Sequence, residues 1–112
     1  MIIRSAVLEG GVAAEHRADF DRHMATTVLA AIARYPGIRE VRLRRPVEQE
    51  AGDPPVYMVF DLWFETLADM HAALASPIRQ EVRARISEVM KQFDGRVYHL
   101  VLEEGPALKG AA

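Results

Sequence analysis

Apolar and polar positions change period along the chain, and the changes mark out strands and helices in a readable order. Ile2 to Leu8 is dense in apolar residues and is followed by Glu9-Gly10-Gly11, which predicts a first strand closed by a turn. From about Ala13 to Arg34 the period becomes helical. Phe20, Met24, Thr27 or Val28, Ala31 and Tyr35 recur at three- and four-residue spacing and so form one face. Pro36-Gly37 stops that helix. Ile38 to Arg45 predicts a second strand, and Arg39, Arg42, Arg44 and Arg45 suggest an exposed or edge position for it. The stretch 46–55, with Gly52, Asp53, Pro54 and Pro55 among charged residues, reads as a loop.

Val56 to Phe64 is the stretch around which the rest is organised. Only Asp61 is charged in it, and Val56, Tyr57, Val59, Phe60, Trp63 and Phe64 are β-branched or aromatic. Read with period two, Val56, Met58, Phe60, Leu62 and Phe64 make a wholly apolar face. The other face, Tyr57, Val59, Asp61 and Trp63, is still mostly apolar. A strand that needs cover on both sides is a central strand. Thr66 then offers a helix N-cap, with Asp69 three residues on. A short helix follows, burying Leu67, Met70 or His71, and Leu74, until Ser76-Pro77 restarts the chain as a cap and a first-turn proline. From Pro77 to about Gln92 the stripe is Ile78, Val82, Ile86, Val89 and Phe93, with Glu81 and Arg85 spaced as an i,i+4 pair on the solvent side. Asp94-Gly95 reads as a turn and Arg96 to Glu103 as the last strand. Residues 1–104 therefore form one domain, and 105–112 a loose tail.

The order β-α-β-β-α-β predicts an α+β, ferredoxin-like fold: a four-stranded antiparallel sheet with two helices on one face. Two helices cover one side of such a sheet, yet the central strand is apolar on both. A patch of that kind left in water is unusual for a monomer. A second copy, sheet against sheet about a two-fold axis, is the natural cover, so a homodimer is expected.

Composition narrows the function more by exclusion than by suggestion. At 112 residues, half of them apolar, the chain is one domain of ordinary globular type. A formal charge of −2 gives no general reason to bind nucleic acid or an anionic membrane. The absence of cysteine excludes disulfides, thiolate catalysis and Cys-based zinc sites. The N-terminal apolar run is too short for a signal peptide and no run reaches the length of a membrane span, so a cytoplasmic protein is expected. No metal site and no cofactor are expected either: His16 and His23 lie seven apart, about 10 Å along a helix, and glycine-rich phosphate loops are missing.

The segments Asp19-Phe20-Asp21-Arg22-His23, Tyr35-Pro36-Gly37-Ile38, Leu62-Trp63-Phe64-Glu65-Thr66-Leu67 and Ala75-Ser76-Pro77 resemble the EthD family of dimeric α+β barrel proteins, as does Phe93 before the last strand. The resemblance runs from Ile2 to Glu103. It implies an eight-stranded barrel built by two subunits, with an apolar pocket between sheet and helices in each. The wider superfamily includes lactone isomerases, cofactor-free oxygenases and cyclases acting on aromatic or lactone substrates. Many EthD-like sequences carry a histidine, then proline and leucine, about eight residues before the Pro-Gly stop. That position falls at Val28 here, or at Thr27 with a one-residue slip, and neither residue is a base. The Asp-Gly pair common early in the family's third strand is replaced by Tyr57-Met58, whereas Asp61 keeps the acid before Trp-Phe.

The chemistry-bearing candidates are few. His23 lies beside the apolar stripe of the first helix, where a histidine is either a base or pocket donor, or simply a half-exposed helix residue. Asp61, amid apolar neighbours, needs a partner or a shifted pKa. It is either an acid/base group or the partner of an arginine such as Arg42 or Arg44, and the abundance of arginine favours the ion pair. His71 sits beside Met70 on the short helix, and His99 points away from its neighbours Tyr98 and Leu100. Phe20, Met24, Tyr35, Tyr57, Trp63, His71 and Phe93 are the candidate lining of a pocket for a flat apolar ligand, although aromatics in a small domain are usually core. Two readings follow. One is a non-catalytic binder of a small aromatic or lactone-like metabolite; the other is a cofactor-free isomerase, cyclase or oxygenase using His23 and Asp61.

Overall fold

The computed structural model describes residues 1–52 and 54–111, so Asp53 of the expected loop and Ala112 of the expected tail lie outside it. The elements are β1 (Ile2–Val12), α1 (Ala14–His23), a π-helical segment (Met24–Val28), α2 (Leu29–Ile32), β2 (Glu40–Arg44), β3 (Val56–Phe64), α3 (Leu67–Leu74), α4 (Ile78–Ser87), a 3₁₀ turn (Met90–Gln92) and β4 (Phe93–Glu103). The strands form one antiparallel sheet in the order β2-β3-β1-β4, the ferredoxin-like topology. β1 and β3 are central, and the arginine-rich β2 is an edge. Residues 105–111 carry no regular structure.

Register explains which residues meet the helices. Ile2, Arg4, Ala6 and Leu8 of β1 stand opposite Phe64, Leu62, Phe60 and Met58 of β3. These pairs share one face, and Phe20, Met24 and Val28 of the first helical stretch close over it with Phe64 and Met58 at under 2% exposure. Ile3, Ser5 and Val7 stand opposite Trp63, Asp61 and Val59 on the other face, which no helix among the described residues covers. There Leu100 and Leu102 of β4 are 45% and 43% exposed.

Five local expectations are corrected. Gly10-Gly11 and Asp94-Gly95 do not end strands. β1 and β4 run through them, and Gly10 faces Gly95. With φ of 144° and 155° both take backbone that only glycine adopts freely, and a Cβ on either would lie 2.1 Å from the facing strand's carbonyl oxygen. Turn-type glycines that meet across a ladder thus serve close approach rather than reversal. Next to them the register slips between Leu8 and Glu9, so that Glu9 pairs Val56 and Tyr57 is the extra residue. The bulge turns Tyr57 onto the helix side, where its ring packs 5.8 Å from Phe20, and not onto the open face with Val59 and Trp63.

Thr66 does cap α3, its hydroxyl accepting the Asp69 N–H at 3.1 Å. Ser76 does not cap α4. Its hydroxyl donates to the Ala73 carbonyl at 2.6 Å, closing the end of α3 instead. Glu81 likewise pairs with Arg34, at 2.5 Å, while Arg85 pairs with Glu88, because α4 packs beside α2 and brings Arg34, just past the end of α2, onto Glu81.

Candidate functional site

A cavity of about 270 Å³ lies between the sheet and the helices. Its floor is Ala6 and Leu8 of β1 with Phe60 and Leu62 of β3. Its roof comes from two directions. Met24 and Val28 reach in from the π-helical segment, and Val82 and Ile86 from α4. A π-turn widens the helix by one residue and is a frequent mark of functional sites. Here it places Met24 and Val28 over the cavity. Val97 is 39% exposed and His99 is exposed as well, so the space opens along β4, whose helix-side face is left bare.

The polar lining is entirely cationic or neutral. Arg4, Tyr35, Arg79, Arg83 and His99 border the cavity, and among the described residues no aspartate or glutamate does. Arg4 and His99 stand near one another because β1 and β4 pair with Ala6 opposite His99 and Arg4 opposite Val101. Arg79 and Arg83 are one helical turn apart on α4. Burial, and then the neighbouring Arg79, hold the Arg4 guanidinium below its ordinary pKa. Partial burial also lowers the His99 pKa, and Arg4 and Arg79 lower it further, which favours the neutral imidazole. Burial raises the Tyr35 phenol, against the pull of Arg79, Arg4 and Arg83. The site is therefore an apolar chamber with a neutral imidazole, a phenol and three guanidiniums at its rim.

Of the residues expected in a pocket, Met24 and Tyr35 line this cavity. Phe20, Tyr57 and Phe93 pack on one another with centroids 5.8 to 6.1 Å apart and fill core beside it. The Tyr57 hydroxyl donates to Asp21 at 2.6 Å, and Asp21 also pairs with Arg45 at 3.0 Å, which ties α1 to β3. Burial, followed by that carboxylate, pushes the Tyr57 pKa to about 12. Trp63 lies on the open face of the sheet and His71 is exposed on α3.

His23 and Asp61 are not brought together. His23 Nε2 sits 2.7 Å from the Arg85 carbonyl and 3.2 Å from Glu88, clasping α1 to α4. Asp61 faces away from the helices. It accepts from the Ser5 hydroxyl at 2.6 Å and from Arg44 Nε at 2.6 Å. Val28, at the position where EthD-like sequences carry histidine, lines the cavity, while Thr27 is exposed. The chain thus puts a methyl surface there, and its own cavity histidine comes from the opposite wall. Arg4, Arg79 and Arg83 were not singled out by the sequence. Their signal was positional: Arg4 alternates in phase with Ile2, Ala6 and Leu8, and Arg79 and Arg83 flank Val82.

Among the described residues no helix is long and apolar enough to cross a membrane, and no group of three or more His, Asp or Glu could hold a metal. No family model and no curated protein matches the sequence. Solved structures do match its fold. An ethyl tert-butyl ether degradation (EthD) family protein from Bacillus halodurans superposes with a TM-score of 0.72 at 20% identity, covering 94% of this chain and 99% of that one. A cofactor-independent oxygenase from Streptomyces nogalater gives 0.61 at 17% identity, over 97% and 96% of the two chains. A dimeric ferredoxin-like protein of unknown function from Jannaschia gives 0.62 at 18%, over 93% and 100%. The resemblance to EthD carried by the sequence motifs thus meets a solved EthD-family structure along nearly the whole chain, and at these identities the likeness is one of fold.

Proposed function

We propose that this chain works as a homodimer, joined through the open face of its sheet into an α+β barrel, and binds a small aromatic or lactone-like metabolite in the cavity of each subunit. The cavity carries the reading. It is apolar on floor and roof, lies just below the ~300–1,000 Å³ usual for ligand sites, and has a few polar groups at one rim. The dimer is supported by β4. On the open face Leu100 and Leu102 are 45% and 43% exposed, an apolar pair that a second sheet would cover. The dimeric Jannaschia protein of the same fold adds support.

A second reading, cofactor-free chemistry on the bound molecule, is favoured by His99. It is the titratable base that borders the cavity, and its neutral form is the one that accepts a proton from a carbon or hydroxyl acid. The Streptomyces oxygenase of this fold is in keeping with that reading. On this reading the base is His99, while His23 and Asp61 hold the scaffold.

Native mass spectrometry of the purified protein tests the proposal. The expected spectrum shows twice the chain mass, with a small organic adduct on each subunit or readily loaded by added aromatic compounds. A monomer that takes up no apolar compound would overturn it.

A further inference from the structure

The sequence holds twelve arginines, and their partners divide them sharply. Eight of them (22, 34, 39, 42, 44, 45, 85 and 96) form ion pairs with aspartate or glutamate. Arg17 donates to the Val12 carbonyl at 3.0 Å. The remaining three, Arg4, Arg79 and Arg83, have no carboxylate partner among the described residues, and all three border the same apolar cavity. A chain with sixteen acidic residues does not lack carboxylates to pair them. Arg4 and Arg79 are half-buried, and like charges gathered beside apolar surface oppose folding. Such an arrangement persists where a ligand supplies the missing charge.

We propose that the cavity's ligand is an amphiphilic organic anion, a one-ring apolar body bearing a carboxylate, whose carboxylate is held by Arg4, Arg79 and Arg83 while the ring enters the chamber. The assignment rests on the cavity being the ligand site, as proposed above, and adds the charge and size of what it takes. A guanidinium presents two parallel N–H donors that match the two oxygens of a carboxylate. Tyr35, 5% exposed beside them, adds a hydroxyl donor for the same oxygens. At about 270 Å³ the chamber suits one ring rather than a fused polycycle. Val28, in the position of the family's histidine, gives the ring an apolar wall.

Phenylacetate and its neutral isostere phenylacetamide are the probes. Their dissociation constants are measured by calorimetry on the intact protein and on Arg4→Gln, Arg79→Gln and Arg83→Gln. Phenylacetate is expected to bind at least about tenfold more tightly than the amide to the native protein, since a charge-assisted pair is about twice as strong as a neutral one. Each substitution is expected to weaken phenylacetate and leave the amide unchanged, shrinking the ratio towards one. Arg83, the most exposed of the three, serves as the variant least disturbing to folding. Equal binding of the two probes to the native protein would overturn the anion assignment while leaving the cavity as a binding site. Binding of neither probe at millimolar concentration would overturn both. A preference for phenylacetate that survives all three substitutions would place the anion elsewhere and overturn the assignment too.

Discussion

Asp61→Ala separates a structural carboxylate from a catalytic one. In the native sheet the Asp61 side chain is 13% exposed and both its oxygens are used, one by the Ser5 hydroxyl and one by Arg44 Nε, each at 2.6 Å. Ser5 itself is only 6% exposed, so removing the acceptor strands a buried hydroxyl at a cost of about 1–3 kcal/mol. Arg44 is 53% exposed, and water takes over its charge, so the ion pair adds no more than about 1 kcal/mol. The total is about 2 kcal/mol, or a fall in Tm of about 8 °C for a domain of this size. Asp61→Asn keeps an acceptor for Ser5 and loses only the charge, so its cost is expected to be under about 1 kcal/mol. Thermal unfolding at one fixed protein concentration reads both, since any self-association makes Tm depend on concentration. Adding Ser5→Ala to Asp61→Ala should recover part of the loss, since the stranded hydroxyl is then gone. Phenylacetate affinity should be the same in all of these variants, because the carboxylate faces away from the cavity. Unchanged Tm in Asp61→Ala together with lost probe binding would rule out the structural role and return Asp61 to the site.

Three further outcomes are expected. An NMR titration of the His99 ring should give a midpoint below the ordinary value of about 6.5, and Arg79→Gln should move it upwards. Because the folded pKa is the lower one, the unfolded chain takes the proton first. His99 therefore leaves stability intact above pH ~6.5 and erodes it as pH falls towards the folded midpoint, so a midpoint at or above 6.5 would contradict the account. Gly10→Ala should cost upwards of about 3 kcal/mol or prevent folding, since its Cβ would lie 2.1 Å from the Asp94 carbonyl, whereas Gly11→Ala, with nothing within 4 Å, should cost under about 1 kcal/mol. Arg79→Gln should raise Tm slightly, by the equivalent of up to about 1 kcal/mol, because it relieves repulsion among the cavity arginines; a fall in Tm would mean that Arg79 stabilises the empty fold.

The fold was legible because its main signals are long and local. Val56 to Phe64 announces a buried strand by alternation, the Phe20-Met24-Val28 stripe announces a helix, and Thr66 announces a cap that the structure contains. Errors arose where a residue's role depends on what lies opposite it. Gly10 and Gly95 look like turns until each is seen facing the other across the ladder. Tyr57 changes face because one residue of register is lost at Leu8/Glu9, and a bulge leaves no mark in the alternation. Glu81 finds Arg34, forty-seven positions away, before the neighbour on its own helix.

The site was harder to read for the same reason. Met24 and Tyr35 could be placed near a pocket by helical spacing, but the arginines of the cavity come from β1 and α4, which meet only in three dimensions. A lone arginine in an apolar strand reads as a solvated charge. It becomes a ligand group only when Arg79, Arg83 and the missing carboxylates are seen around it. His23 shows the converse, being close to the cavity in sequence pattern and committed to the Arg85 carbonyl in space.

Whether ligand enters between sheet and helices can be read from methyl-labelled NMR with added phenylacetate. Shifts are expected at Val28, Ile32, Val82, Ile86 and Val97, which border the cavity, with Ile3, Val7 and Val59 on the open face of the sheet unmoved. Shifts confined to Ile3, Val7 and Val59 would contradict that entry and move the binding site to the other side of the sheet.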